Sequence, residues 1–261
     1  MPPTHTDPPQ VDVVVVIPTY NEADNIQQIV REVFKQPARV DLLIVDDNSP
    51  DGTGGMADAL AQSPEYTGHI HVLHRTAKEG LGRAYLAGFA WALARNYDAV
   101  VEMDADLSHD PLYLESMVAA AQDADVVIGS RYLNGISVIN WPLRRILLSW
   151  TANWYVRTMT RLAVNDCTSG YRLYHRRVLE AINLSSVHSN GYSFQVEMTF
   201  RAQIAGFRIR EVPIIFTERC MGQSKMSKSV IWESFLMPLR LRWRMRGLKR
   251  QMGKSKQPKI A

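Results

Sequence analysis

Residues 13–34 read VVVVIPTYNEADNIQQIVREVF, and this stretch decides the fold. Val13–Ile17 is a β-branched run that ends at Pro18, which is typical of a buried strand leaving a sheet. From Glu22 to Phe34 the apolar side chains recur at helical spacing, so that Ile26, Ile29, Val30 and Val33 share one face. The stretch therefore predicts a strand followed directly by an amphipathic helix.

The same alternation of strand and helix continues to about residue 130. Apolar runs predict strands at 42–45, 69–73, 99–103 and 126–128. Helical patterns lie between them at 52–61, 82–95 and 111–121, the last with a proline at its start. Because the strand runs are almost wholly apolar, they predict an α/β fold with a mostly parallel central sheet and helices on both faces. After Arg131 the pattern changes to long amphipathic segments.

Polar clusters follow three of these strands, at Pro18–Glu22, Asp46–Thr53 and Asp104–Ser108. In a doubly wound sheet such strand ends lie at one edge and meet at one crevice, where ligands bind. Tyr20 offers an aromatic face for a base, and Glu22 or Asp47 can accept hydrogen bonds from a base or ribose. Asp51-Gly52 is better explained by a tight turn that starts the next helix.

Asp104-Ala105-Asp106 is the most informative of the three clusters. Two carboxylates one residue apart repel each other, and a divalent cation that bridges a diphosphate would relieve that repulsion. The pattern is short, and a solvated turn with a helix cap is the alternative interpretation. His109 lies near these carboxylates, although a loop histidine is the simpler interpretation.

Several classes of protein are excluded or disfavoured. After the first strand the chain has neither G-x-G-x-x-G nor a phosphate-binding G-x-x-x-x-G-K-S/T motif. The two cysteines, Cys167 and Cys220, make neither a disulfide framework nor a zinc site, which favours a reducing compartment. Residues 1–10, MPPTHTDPPQ, predict a disordered arm and no signal peptide. No apolar stretch is long enough to predict a transmembrane helix.

The charge of the chain is unevenly distributed. The formal net charge is +4, yet residues 240–261 carry nine basic side chains and no acidic one, so the rest of the chain is net acidic. We therefore divide the chain into an arm at 1–10, a central domain at 11–238 and a basic tail at 239–261. Such a tail suits an anionic membrane surface or a nucleic acid.

Eight motifs in order resemble a known family. They cover roughly Val13 to Ser229 and read IPTYNE, IVDDNSPDGT, GLGRAYLAGF, MDADLSHDP, GSRY, TSGYRLY, GYSFQVEM and FTERCMGQSKMS. The chain resembles the dolichol-phosphate (polyprenol-phosphate) mannose synthases, which are inverting glycosyltransferases of family 2 with a GT-A fold. The resemblance implies transfer of mannose from GDP-mannose to a polyprenyl phosphate, with Mg²⁺ or Mn²⁺ as cofactor.

The resemblance also implies roles for particular residues. The positions that match nucleotide-sugar contacts are Pro18, Tyr20, Glu22, Val45, Asp47, Asp104, Ala105, Asp106, Arg131, Arg219 and Lys225. Asp106 matches the direct metal ligand, and Ser108 stands where some relatives carry a second ligand. Arg131 matches an arginine at the reacting phosphates, Arg145 and Ser149 match the acceptor-phosphate pair, and Arg219 and Lys225 match a mobile loop. The catalytic set is therefore Asp106, Arg131, Arg145 and Ser149, with Glu197 either near the acceptor or on a helix surface.

Residues 138–163 predict an amphipathic interfacial segment. Trp141, Leu143, Leu147, Trp150 and Trp154 form an apolar face flanked by arginines, a composition typical of a helix at a membrane interface. A core helix is the alternative. In the tail, Leu241, Trp243, Met245 and Leu248 alternate with arginines and predict contact with anionic lipid.

Together these features predict a peripheral enzyme at the cytoplasmic face of a membrane, with a membrane protein as a possible partner. The nearest rival is a polyprenyl-phosphate glucosyl- or aminosugar transferase of the same fold. A protein that binds nucleic acid or anionic lipid through its basic tail is a distant alternative.

Overall fold

The computed structural model describes residues 12–217 and 237–243. The strands are β1 (Val13–Thr19), β2 (Asp41–Asp46), β3 (Ile70–His74), β4 (Ala99–Glu102), β5 (Val126–Ser130), β6 (Val138–Ile139), β7 (Arg172–His175), β8 (Ile209–Pro213) and β9 (Phe216–Thr217). The helices are α1 (Ile26–Phe34), α2 (Thr53–Gln62), α3 (Leu81–Leu93), α4 (Leu114–Ala120), α5 (Leu143–Thr160), α6 (Arg176–Ala181), α7 (Gly191–Ile204) and α8 (237–243). Short 3₁₀ turns cover Pro111–Tyr113 and Leu184–Ser186.

A seven-stranded sheet in the order β3-β2-β1-β4-β7-β5-β8 forms the centre of the molecule. All neighbours run parallel except β7, which is antiparallel to both β4 and β5. The predicted mostly parallel sheet is therefore confirmed. The antiparallel insertion of β7 was not predicted, because a four-residue strand after an irregular segment has too little periodicity to reveal its partners.

Helices cover both faces of this sheet, as predicted. One core layer joins alternate residues of β1, including Val14 and Val16, to α3, α6 and α7, while the other joins Val13, Val15 and Ile17 to α1, α2 and α4. This division follows from the two-residue period of a strand, which sends successive side chains to opposite faces. The alternation of apolar strands and amphipathic helices thus produces two cores around one sheet.

The ends of β1, β2 and β4 carry the three polar clusters to one edge of the sheet. Strands β1 and β2 are paired in parallel register, with Pro18 opposite Val45 and Thr19 opposite Asp46. Strand β4 pairs with the other side of β1 and ends at Glu102, two residues before Asp104. The predicted convergence of the clusters is therefore a consequence of parallel pairing.

Helix α5 lies within the predicted interfacial segment and exposes most of its apolar side chains. Leu143, Leu147, Trp150 and Trp154 are between 51% and 70% exposed, whereas the buried positions of the helix are Asn153, Val156 and Thr160. Among the described helices, none combines the length and the apolarity needed to cross a bilayer.

Helix α8 corrects one expectation about the basic tail. Leu241 is 5% exposed and packs, together with Met237, into the same core layer as α3 and α7. It is therefore not available to contact lipid, whereas Trp243 is 86% exposed. Residues 1–11 and 244–261, which hold the predicted arm and most of the tail, lie outside the described residues.

Candidate functional site

A crevice of about 240 Å³ lies at the carboxyl edge of the sheet, where the three polar clusters meet. It is lined by Pro18, Thr19, Tyr20, Glu22, Asp47, Lys78, Leu81, Ala84, Asp104, Ala105 and Asp106. Most of the residues predicted to contact a nucleotide sugar are thus brought together, although they are separated by up to 88 positions in the chain. Four carboxylates line one small volume, so an anionic ligand here needs cations.

The segment after β1 is held in place by the segment that leads into α2. The backbone N–H of Glu22 donates to Thr53 Oγ1 at 3.0 Å, and Asn25 Nδ2 donates to Glu22 Oε2 at 2.8 Å. Asp51 accepts hydrogen bonds from the backbone N–H of Thr53 at 3.1 Å and from that of Ala23, also at 3.1 Å. Asp51 therefore supports the turn, as the sequence predicted, and it does not line the crevice.

The two carboxylates at the end of β2 have separate tasks. Asp46 is buried and accepts hydrogen bonds from Thr19 Oγ1 at 3.0 Å and Ser49 Oγ at 2.5 Å, so it holds the loop. Asp47 lines the crevice and forms an ion pair with Arg75 at 2.5 Å. Burial raises the pKa of the Asp47 carboxyl, and the nearby Arg75 guanidinium only partly opposes that rise.

A tight turn carries Asp104 and Asp106 after β4. The backbone N–H of Asp104 donates to His109 Nδ1 at 3.0 Å, and Tyr85 Oη donates to Asp104 Oδ1 at 3.1 Å. The backbone N–H of Ser108 donates to Asp106 Oδ1 at 3.0 Å, and Leu107 has a left-handed φ of 61°. A left-handed leucine costs on the order of 1 kcal/mol, so these contacts hold the turn in a shape that it would not adopt alone.

His109 is part of this support. It is 2% exposed, stacks on Tyr171 at 5.1 Å between ring centroids and meets the edge of Phe216 at 5.6 Å. Burial on these rings fixes the imidazole that accepts from Asp104. The simpler interpretation of the sequence, a loop histidine without a structural role, is therefore wrong, because His109 is buried and supports the turn that carries Asp104.

The residues predicted to bind a metal offer hard oxygen ligands. Asp106 is 7% exposed and Ser108 is 2% exposed, and within the described residues the Ser108 hydroxyl oxygen has no hydrogen-bond partner. The described part of the chain holds no group of three or more His, Cys, Asp or Glu side chains that could bind a metal. These residues fit a cation of the Mg²⁺ or Mn²⁺ type only if substrate oxygens and water supply the other ligands.

Arg131 lies outside the crevice, in a buried ion pair that the sequence did not reveal. Its Nε and Nη2 donate to the two carboxylate oxygens of Asp166, both at 2.7 Å, and Nη2 also donates to Thr168 Oγ1 at 2.8 Å. Although burial disfavours both charges, the attraction raises the pKa of the Arg131 guanidinium and lowers the pKa of the Asp166 carboxyl. A single Nη1 group of Arg131 therefore remains for any substrate contact.

Arg145 and Ser149 lie near Arg131 on α5. The Arg145 guanidinium stacks on the Trp141 ring at 4.1 Å, and Tyr132 Oη donates to Ser149 Oγ at 2.7 Å. The Arg131 guanidinium lies 5.6 Å from the same Trp141 ring. The predicted acceptor pair thus forms a second, cationic cluster beside aromatic rings.

The remaining predicted residues are placed differently or not described. Val45 is fully buried in the core, so only its backbone can face a ligand. Glu197 is buried rather than on a helix surface, and it accepts from Arg201 at 2.6 Å and from Ser189 at 2.5 Å. Arg219 and Lys225 lie outside the described residues.

The sequence analysis missed Arg75, Lys78 and Asp166, because their roles depend on partners far away in the chain.

Comparisons with known proteins identify relatives of this chain. The model of the Glycosyl transferase family 2 matches residues 14–182. A polyprenol monophosphomannose synthase from Mycolicibacterium smegmatis is 51% identical over 90% of this chain and 87% of its own length. An undecaprenyl-phosphate mannosyltransferase from Micrococcus luteus is 46% identical over 92% of this chain and 99% of its own length. The resemblance found in the motifs is therefore confirmed.

Solved structures confirm the fold. Glucosyl-3-phosphoglycerate synthase from Mycobacterium tuberculosis, in complex with Mn²⁺, UDP-glucose and phosphoglyceric acid, superposes with a TM-score of 0.63 at 19% identity. The match covers 87% of this chain and 79% of that one. At this level of identity the likeness shows the GT-A fold alone.

Proposed function

Because this chain belongs to glycosyl transferase family 2 and is therefore a glycosyltransferase, we propose that it transfers mannose from GDP-mannose to a polyprenyl (dolichyl-type) phosphate with inversion. The names of both curated relatives support mannose as the sugar and a polyprenyl phosphate as the acceptor. The structural observation that carries the proposal is the pairing of two sites. An acidic crevice suited to a nucleotide and a metal is accompanied by a separate cationic cluster suited to a phosphate.

The crevice accounts for donor binding. Tyr20 presents a ring on which a base can stack, and Asp47 presents a carboxylate that can accept hydrogen bonds from the N–H groups of a base or the hydroxyls of a ribose. Asp104, which is held by Tyr85 and His109, lines the same crevice and would contact the rest of the nucleotide. The donor assignment to GDP-mannose goes beyond the relatives' names, and it is proposed on these contacts together with the motif resemblance.

A divalent cation would be held by Asp106 and Ser108 together with diphosphate oxygens. When bound, Mg²⁺ or Mn²⁺ neutralises the negative charge that develops on the departing diphosphate. Asp106 accepts from the backbone of its own turn, so its carboxylate is oriented before a ligand arrives.

The acceptor needs no general base from the protein. A phosphate monoester is largely ionised at neutral pH, so one of its oxygens can attack the anomeric carbon directly while the bond to the diphosphate breaks. The difficulty is to bring two anions together, and guanidinium groups reduce their repulsion through forked hydrogen bonds. Arg145 and Ser149 supply this contact, while Arg131, held by Asp166, contributes at most its remaining Nη1 group.

Exposed α5 supports a peripheral position on a membrane. Its leucine and tryptophan side chains are accompanied by Arg144, Arg157 and Arg161, all of them exposed. Apolar and basic groups of this kind suit an anionic lipid surface, and the acceptor is itself a lipid. We propose that this surface is the cytoplasmic face of a membrane, where the nucleotide sugar is found.

The decisive experiment is a donor panel with a short polyprenyl phosphate and Mg²⁺ or Mn²⁺. Purified enzyme should form lipid-linked mannose from GDP-mannose, and equal turnover of UDP-glucose would favour the glucosyl- or aminosugar transferase instead. Asp106→Ala should abolish turnover, and a fully active variant would remove Asp106 from the reaction. The absence of any lipid-linked sugar would overturn the proposal as a whole.

Two neighbouring arginines on α5 provide a matched test of the acceptor site. Arg145→Ala should raise the KM for the polyprenyl phosphate about tenfold or more, because a charge-assisted contact is worth about 1.5–3 kcal/mol. Arg144→Ala removes the adjacent, exposed arginine and should have a small effect. A larger loss of GDP affinity than of acceptor use in the Arg145 variant would refute its assignment.

A further inference from the structure

Lys78 is a cation of the crevice to which neither the motifs nor the resemblance assigns a role. Its side chain lines the same volume as Asp104 and Asp106, and its Nζ atom lies 3.9 Å from the centroid of the Tyr20 ring. No acidic side chain of the described residues lies within ion-pair distance of this ammonium group. Lys78 therefore covers one face of the ring on which a base could stack.

The charges of the crevice leave Lys78 as the cation at hand for a ligand. Arg75, three residues before Lys78, is committed to Asp47 and also pairs with Glu79. Among the described residues that line the crevice, Lys78 is the one positive side chain, and it faces four carboxylates. A diphosphate entering such a volume would meet net repulsion unless a cation moves towards it.

The backbone on both sides of Lys78 is held by contacts with the end of β2 and the start of α7. The backbone N–H of Arg75 donates to Asp46 O at 2.8 Å, which joins the start of the segment to the end of β2. At the other end, an added Cβ on Gly80 would lie 2.9 Å from Asn190 Oδ1, and one on Gly82 would lie 2.7 Å from the backbone oxygen of Ser189. This close packing anchors the segment at α7, while the exposed Lys78 side chain extends between the two anchors.

The energies favour displacement of Lys78 by a base. An ammonium over an exposed aromatic ring contributes roughly 0.5–1 kcal/mol. Base stacking on an aromatic side chain contributes about 1–3 kcal/mol, and an ionic hydrogen bond to phosphate about 1.5–3 kcal/mol. When the ammonium moves from the ring to the diphosphate and the base takes its place, the complex gains both the stacking contact and the ionic hydrogen bond. Together these exceed the lost contact between the ammonium and the ring.

We propose that Lys78 is a nucleotide-binding residue with two positions, on the Tyr20 ring in the free protein and on the diphosphate in the complex. The proposal rests on the nucleotide crevice proposed above. In the free protein Lys78 shields the ring, so a nucleoside without phosphates gains little by binding. Only a ligand that offers both a base and a diphosphate compensates for the displaced contact, and this makes Lys78 a residue that selects nucleoside diphosphates over nucleosides.

The test compares two ligands that differ only in their phosphates. Guanosine and GDP are titrated calorimetrically, at fixed Mg²⁺, against the full-length wild type, Lys78→Met and Lys78→Arg. In Lys78→Met we expect the Kd of GDP to rise at least tenfold and the Kd of guanosine to fall two- to fivefold. Lys78→Arg should restore much of the affinity for GDP, because it keeps the charge. Lys35→Met, at an exposed lysine paired with Glu32, serves as the matched control and should change neither value.

Each outcome bears on the proposal. If Lys78→Met changes the affinities for guanosine and GDP by the same factor, or weakens guanosine more than GDP, the two-position role is overturned. If the wild type binds uridine and UDP instead of the guanine ligands, the donor assignment fails while the same ratio measured with uridine and UDP still tests Lys78. If the wild type binds no nucleoside diphosphate at all, both proposals are overturned.

Discussion

Replacing Glu102 with glutamine should remove a large pH dependence from the stability of this protein. Glu102 is fully buried at the end of β4, and burial raises the pKa of its carboxyl to about 8, with the Arg172 guanidinium opposing the rise. Neither carboxyl oxygen has a hydrogen-bond partner of acceptable geometry among the described residues, and the nearby Gln195 side chain opposes the rise in pKa only in part. Arg172 instead directs its donors to the backbone oxygens of Ser169, Gln195 and Cys167 and to a threonine hydroxyl.

The sign and size of the effect follow from the two pKa values of Glu102. The unfolded chain releases this proton near the ordinary value of 4.5, whereas the folded chain keeps it until about pH 8. The contribution of Glu102 to the free energy of unfolding is therefore fully present below about pH 4.5 and is lost as the pH rises through about 8. Since each pH unit of that window is worth about 1.4 kcal/mol, the total loss approaches roughly 5 kcal/mol. That is a large part of the typical 5–15 kcal/mol stability of a domain.

Urea unfolding between about pH 5 and pH 9 measures this loss directly. The buffer contains EDTA so that no metal binds to the nearby aspartates. The free energy of unfolding of the wild type should fall relative to that of Glu102→Gln by several kcal/mol, with most of the difference appearing above pH 6. Glu115→Gln, at an exposed position of α4, controls for the loss of one potential charge. Parallel profiles for the wild type and Glu102→Gln would refute the reasoning, because they would show that Glu102 is ionised and paired with Arg172.

Three further substitutions test the packing and the surfaces described above. Asp166→Asn should lower the free energy of unfolding by about 3–5 kcal/mol, since it leaves Arg131 buried without its counter-charge; a loss below 1 kcal/mol in urea unfolding would contradict the buried pair. Gly88→Ala should cost about 1–3 kcal/mol, because the new Cβ would lie 2.5 Å from Val16 Cγ1, and combining it with Val16→Ala should recover most of that loss in the same measurement. Trp154→Ser should weaken binding to anionic vesicles severalfold in a sedimentation assay, because a side chain that is 60% exposed would no longer insert; unchanged binding would argue against α5 as the lipid-contacting helix.

Features that depend on neighbours along the chain were predictable from the sequence. Val13–Ile17 is recognisable as a strand from its run of β-branched residues, and the helix after it from its period of 3.6 residues. The parallel sheet follows from the repeated alternation of such strands and helices. The carboxylates of Asp104 and Asp106 could be assigned to a ligand site because the ends of parallel strands share one edge. Eight motifs in order then identified the family, which the comparisons confirm.

Features that depend on distant partners were decided only by the tertiary structure. The antiparallel insertion of β7, the pairing of Arg131 with Asp166 and the burial of Leu241 each bring together segments whose local patterns carry no record of one another. The same is true of charge, because a carboxyl such as Glu102 has an ordinary pKa in the chain and acquires a raised one only when folding removes its water. The sequence by itself thus determined the family of this glycosyltransferase and predicted which residues line its crevice. Tertiary packing decided which of its charges are committed to each other and which, like Lys78, remain for a ligand.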